Sequence, residues 1–231
     1  MRLYLFRLGV MRKLDAPVPG YLVCADDGSN VLIDTGYPRD APPDGPVHVA
    51  EGQDVVAQLG GLGLRPEDVH YVVCSHLDPD HAGNHDLFPD AEFVVQRSHY
   101  ELAQAGTVPR LGAAGAHWDQ PHLKYRMIDG DTELIPGIEL IESSGHVRGH
   151  QSVLVRLPST GPVLLAIDAI PMAAALDPEQ RPVFPFDLDA DDLRRSTRKL
   201  VDLARREGAL IVHGHDGPQW SSLRVAPAYY D

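Results

Sequence analysis

Apolar positions along the chain fall into short runs separated by turn-forming residues. LYLFRLGV, residues 3–10, is apolar and partly alternating, which predicts a first strand. In GYLVCADDGSNVLIDTG, residues 20–36, two apolar runs flank DDGSN and predict a hairpin turning at those residues. Residues 37–50 are rich in proline and aspartate and read as a loop, while 51–64 reads as a helix ended by glycines. VHYVVCS (69–75) and AEFVVQ (91–96) have the apolar density of buried strands. Ser98 with Glu101 three positions on predicts a capping box opening a helix over 98–105, and 106–124 reads as irregular. TELIPGIELIES (132–143) predicts two strands broken at Pro136-Gly137, and QSVLVRLP and GPVLLAID predict two more. Residues 189–208 form the strongest helical pattern, acidic at the start, basic toward the end and stopped by glycine. ALIVHGHD (209–216) predicts a last strand running into a loop.

Hairpin strands interleaved with helices predict an α/β or α+β sandwich rather than a strictly alternating parallel fold. No linker divides the chain, so one domain over residues 1–231 is expected. A hydrophobic content of 43% supplies a sizeable core. The formal net charge of −13 would repel a phosphate backbone, which argues against nucleic acid as a partner. No apolar stretch is long enough to cross a bilayer, and no signal peptide is read at the N-terminus. Two cysteines in apolar surroundings, Cys24 and Cys74, without a CxxC pair, fit reduced thiols of a cytoplasmic protein.

Metal-type ligands gather behind predicted strands. His76, Asp78, Asp80 and His81 follow YVVCS; His146 and His150 follow LIESSG; Asp168 follows VLLAI; His213, His215 and Asp216 follow ALIV. Loops after strand ends are where a rigid scaffold presents functional groups. In an extended segment residues 76, 78 and 80 alternate, so their side chains can converge, while His81 points elsewhere and can serve a second ion. Imidazole and carboxylate in such density point to a two-metal site with Asp168 free to bridge. No GxSxG motif offers a serine nucleophile instead. His85, His99, His117 and His122 read as loop or surface histidines, with His122 and Trp118 as candidates to line a cleft and His213 as a partner of His215. The basic residues of 194–206 read as a solvated helix face.

HLDPDHAGN, SGHVRGH, LLAIDA and HGHD, in that order, with the earlier LIDTG, resemble the metallo-β-lactamase superfamily. FVVQRSHYELA, PHLKYRMIDGD, PGIEL and GHQSVLV are similar to strings of its N-acyl-homoserine lactonases. The resemblance implies a four-layer αβ/βα sandwich and two divalent cations, zinc above all. It places His76, residue 78 and His146 on one cation, Asp80, His81 and His215 on the other, and Asp168 between them, with His150 behind the site. The implied reaction is opening of a lactone ring by a hydroxide held between the cations, with Asp80 and Asp168 as the catalytic carboxylates. Thioester or phosphoester hydrolysis, as elsewhere in the superfamily, and a degenerate binding protein are the alternatives. A small-molecule lactone is the implied partner, and a monomer or homodimer the expected state.

Three departures from the family pattern stand out, one of them in the loops near residues 11–19 and 37–50, which look shorter than in the best-known lactonases and border the family's substrate cleft. HxHxDH becomes HxDxDH, so Asp78 replaces an imidazole. An oxygen donor hardens that site and opens it to iron or manganese. Pro171 stands where the lactonases carry a tyrosine three residues after the bridging aspartate, with Tyr229 or Tyr230 as candidate substitutes.

Overall fold

In a computed structural model describing residues 1–231, the chain forms two mixed sheets packed face to face, with helices on both outer sides. The first sheet contains β1 (Arg2–Met11), β2 (Ala16–Cys24), β3 (Asn30–Ile33), β4 (Val47–His48), β5 (Tyr71–Val73), β6 (Glu92–Gln96) and β7 (Lys124–Ile128). Their order across it is β4-β1-β2-β3-β5-β6-β7. The second contains β8 (Thr132–Ile135), β9 (Ile138–Glu142), β10 (Gln151–Leu157), β11 (Gly161–Ile167) and β12 (Leu210–His213), in the order β12-β11-β10-β9-β8.

Strand alternation explains the layering. Val31 and Ile33 of β3, and Val153 and Val155 of β10, point into a shared core between the sheets. Leu32 and Leu154, the residues between them, point outward. Leu32 meets a helical layer that includes Val55 and Leu59 of α1 (Val55–Gly61) and Ala103 of α3 (Arg97–Gln104). Leu154 meets Leu200, Val201 and Ala204 of α5 (Ala190–Glu207). This is the expected αβ/βα sandwich. α5 starts where its pattern says it should: the Asp189 carboxylate accepts from the backbone N–H groups of Asp191 and Asp192, and Gly208 closes the helix at φ 66°.

Some expectations shift. Val47–His48 leaves the expected loop to pair with β1. The helix expected over 51–64 is confined to α1, capped by Asp54. No capping box forms at Ser98: α3 begins one residue earlier, with Gln96 at its cap position and no side-chain cap hydrogen bond. The edge strand β7 was not expected; five half-polar residues carry little apolar signal, and its pairing with β6 defines it. The irregular segment before β7 contains a short helix α4 (Gly115–Trp118). Trp118 is buried in the outer core, its indole N–H donating to the Leu111 carbonyl at 2.9 Å, so it does not line a cleft as expected, while His122 is exposed.

Candidate metal centre

The ends of β3, β5, β9, β11 and β12 meet at one edge of the sandwich. His76, Asp78, Asp80 and His81 follow β5, with Asp80 and His81 inside the single turn α2 (Pro79–Ala82). His146 lies between β9 and β10, Asp168 directly follows β11, and His215 follows β12. Aiming Asp168 requires an unusual backbone. Ile167 has φ 52° beside a register shift against β12. A β-branched residue pays about 1–3 kcal/mol there. Gly214 makes room for that turn: a Cβ on it would stand 2.7 Å from the Ile167 carbonyl oxygen.

Three groups of donors form, each able to embrace an ion: His76, Asp78 and His146; Asp80, His81 and His215; and His76, His81 and Asp168 between them. Asp168 faces both sides. Its Oδ2 lies 3.8 Å from His76 Nε2 and 3.3 Å from His146 Nε2, and its Oδ1 lies 3.5 Å from His81 Nε2 and 3.0 Å from His215 Nε2. Asp78 Oδ2 stands 3.4 Å from His76 Nε2 and 3.2 Å from His146 Nε2. Asp80 Oδ2 stands 3.4 Å from His81 Nε2 and 3.9 Å from His215 Nε2. A tetrahedral cation with bonds of about 2.0–2.1 Å to nitrogen separates its donors by about 3.3–3.4 Å. The spacings of 3.3–3.9 Å suit an ion better than direct hydrogen bonds, while the 3.0 Å His215–Asp168 and 3.2 Å His146–Asp78 approaches are short enough for either. His76 Nε2, His81 Nε2, His215 Nε2 and Asp168 Oδ1 are buried with no hydrogen-bond partner. Buried polar atoms normally find partners, so this shared lack fits cations as the missing partner.

The opposite ring nitrogens are all held. His76 Nδ1 lies 3.0 Å from Ser75 Oγ, His81 Nδ1 is 2.8 Å from Asp34 Oδ2, His146 Nδ1 is 3.0 Å from Asp187 Oδ1, and His215 Nδ1 is 2.8 Å from the Pro17 carbonyl. Such contacts point each Nε2 inward and raise its basicity. Asp34 also accepts from the Ser75 N–H and hydroxyl, at 2.9 and 2.7 Å. Asp34, Ser75, Pro17 and Asp187 were not singled out in the sequence; only Asp34, inside LIDTG, sits in a motif that could have flagged it.

Charge in the cluster is strongly coupled. Burial opposes protonation of His146, but the carboxylates of Asp168, Asp187 and Asp78 outweigh it and lift its pKa to about 9. Burial likewise opposes protonation of His81, and Asp80, Asp168 and Asp34 raise it well above the usual imidazole value. His76 goes the other way, lowered by burial and the neighbouring His81. Asp168 falls well below the carboxylate range because His215, His81 and His146 overcome its burial.

The remaining predicted residues sort by contact. His150 is buried behind the cluster, its Nδ1 2.9 Å from Ser143 Oγ and its Nε2 accepting from the Asp168 N–H at 3.3 Å. His85 and His99 are not surface histidines: both are fully buried. His99 Nε2 accepts from the Leu77 N–H and its Nδ1 meets the Arg148 carbonyl, each at 2.8 Å, which fixes the loop carrying Asp78. His213 makes no hydrogen bond to His215: its Nδ1 is buried without a partner, and its backbone N–H donates to Gln219 Oε1 at 2.8 Å. Asp216 caps α6 (Gly217–Trp220) by accepting from the Gln219 N–H. Pro171 receives the His215 N–H on its carbonyl at 2.8 Å. Neither candidate tyrosine replaces the missing one. Tyr230 pairs with Leu3 and Tyr229 packs on Tyr4, at the end of β1 opposite the cluster.

One unpredicted contact falls on the departure from the family pattern. Arg110 Nε donates to both oxygens of Asp78, at 2.8 and 2.9 Å.

Residues 15–215 match the metallo-beta-lactamase superfamily model. The chain is 38% identical to the N-acyl homoserine lactonase AttM of Azorhizobium caulinodans over 239 residues, spanning 94% of this chain and 88% of that protein. It is 32% identical to the N-acyl homoserine lactonase AiiA of Bacillus thuringiensis subsp. kurstaki, with the same coverage. Among solved structures, an N-acyl homoserine lactone hydrolase with the product N-hexanoyl-L-homoserine bound at its catalytic metal center superposes with a TM-score of 0.83. It is 29% identical, and the match covers 99% of this chain and 98% of that one.

Proposed function

Because the chain belongs to the metallo-beta-lactamase superfamily, we propose that it is a two-metal hydrolase that opens the ring of N-acyl homoserine lactones. The observation that carries this reading is the shared set of orphaned donors, His76, His81 and His215 Nε2 with Asp168 Oδ1, in a chain 38% identical to a lactonase. His76, Asp78 and His146 would hold one divalent cation, Asp80, His81 and His215 the other, and Asp168 both. Zinc is the leading candidate, with iron or manganese admissible where Asp78 supplies oxygen. Bound there, the cations would polarise the ester carbonyl and acidify a water toward a pKa of about 7.

The protein's own groups supply the rest. Asp80 and Asp168 keep side-chain exposures of 16% and 11%, while His76 and His81 have none, so the cluster opens to solvent through these two carboxylates. Asp168 can accept a hydrogen bond from the attacking water and orient it. Asp80 can take the proton that the attacking water gives up and hand it to the ring oxygen as the bond from that oxygen to the carbonyl carbon breaks. Val183, Phe186 and Leu188 are exposed around Asp187, beside His146, and offer apolar surface to an acyl tail.

The chain is read as one domain. No helix is long and apolar enough to cross a membrane. Two free cysteines support a reducing, cytoplasmic setting.

The test is metal quantification on protein purified without added metal, paired with a substrate panel. Acyl-homoserine lactones of varied chain length should be hydrolysed far faster than S-lactoylglutathione or bis-p-nitrophenyl phosphate. Preference for the thioester or the phosphodiester would overturn the substrate assignment. Failure to bind metal even when it is supplied would overturn the enzyme assignment.

A further inference from the structure

We propose that Arg110 is a built-in counter-charge that makes the Asp78 half the weaker and more exchangeable of the two cation sites. The inference rests on the two-metal reading above. Asp78 Oδ2 faces His76 and His146, at 3.4 and 3.2 Å, and is the oxygen available to a cation. Arg110 Nε sits against the same carboxylate, 2.8 Å from Oδ1 and 2.9 Å from Oδ2. Its Nη2 also reaches the His146 carbonyl at 3.3 Å. A cation held by Asp78 must therefore share the carboxylate with a permanent positive charge, which guanidinium does not surrender by deprotonation.

The arrangement is not a floppy surface contact. Asp78 is 8% exposed and Arg110 27%. Leu111, the next residue, is fully buried in the outer core, and its carbonyl is tied to the Trp118 indole at 2.9 Å. The backbone that delivers Arg110 is thus anchored on its C-terminal side. The other half has no such neighbour: around His81 and His215 the outer contacts are the Asp34 carboxylate and the Pro17 carbonyl, both of which favour positive charge. Repulsion between guanidinium and a dication grows steeply as solvent is excluded, so the difference between the halves is electrostatic.

Zinc titration of the metal-free protein against a chromophoric chelator tests this directly, without reference to turnover. The native protein should bind two equivalents in two unequal steps. Arg110→Gln should tighten the weaker step by about tenfold or more, and Arg110→Lys, which keeps the charge, should stay within about threefold of native. Circular dichroism verifies that each variant folds. Should Arg110→Gln misfold, Asp78→Asn serves instead: it keeps the arginine, removes the carboxylate, and should weaken the same step by at least about tenfold. Equal steps in the native protein, a weaker step unmoved by Arg110→Gln or by Asp78→Asn, or an equal shift in Arg110→Lys would overturn the role of Arg110 and leave the two-metal reading intact. Fewer than two equivalents in both native protein and Arg110→Gln at saturating zinc would overturn the two-metal reading, and the proposal with it. One equivalent in the native protein rising to two in Arg110→Gln would support the proposal in its strongest form.

Discussion

The two halves of the cluster share Asp168 but are built differently. Around Asp80, His81 and His215 the surroundings are acidic or carbonyl in character: buried Asp34 backs His81, and Pro17 backs His215. Around His76, Asp78 and His146 the pattern is mixed. Asp187 backs His146, but a carboxylate replaces an imidazole and Arg110 neutralises it. Ligand identity alone would make the two halves alike, since each offers two imidazoles and one carboxylate beside the shared Asp168. The neighbouring guanidinium breaks that parity. A metal site is set by the charges around its ligands as much as by the ligands.

The largest effect should come from removing what the halves share. Asp168→Ala should lower lactone hydrolysis by about a thousandfold or more, the upper range for loss of one well-placed electrostatic group. It should also reduce retained metal in both halves; full activity with two ions retained would refute the bridging role. Next in size are the outer carboxylates, which act on one half each. Asp34→Asn should weaken the His81 half and Asp187→Asn the His146 half, each by about 10–100-fold in metal affinity. Chelator competition reads both, and a variant that weakens the opposite half would contradict the division drawn here.

The smallest effect concerns pH. Burial and the nearby His76 push His99, beneath the Asp78 loop, from an ordinary 6.5 down to about 4. Unfolded chains bind a proton at this residue through the window between those values and the folded protein does not. The stability contributed by neutral His99 is therefore complete above about pH 6.5 and is lost as pH falls toward about 4, at up to about 1.4 kcal/mol per unit. His99→Gln should flatten that part of the acid stability curve in urea unfolding; an unchanged slope would show that His99 does not carry it.

Much of this was legible in the chain itself. Short apolar runs bounded by turn residues marked most strands, and the acidic start and glycine stop of residues 189–208 marked α5, because these are local effects of burial, turn chemistry and capping. The ligand strings were legible too, since an ion demands particular donors at strand ends. β7 escaped because half-polar edge residues pair through backbone groups that every sequence possesses. His85 and His99 were misjudged because a lone histidine carries no sign of its burial.

By itself, then, the sequence determined the sandwich and the set of donors, through periodicities and motifs that act within a few residues. Only the tertiary structure decided which atoms those donors face and what stands behind them. Asp34 lies 47 positions from His81, and Arg110 lies 32 from Asp78. Electrostatic contacts fall off with distance through space, and folding sets that distance without regard to separation along the chain.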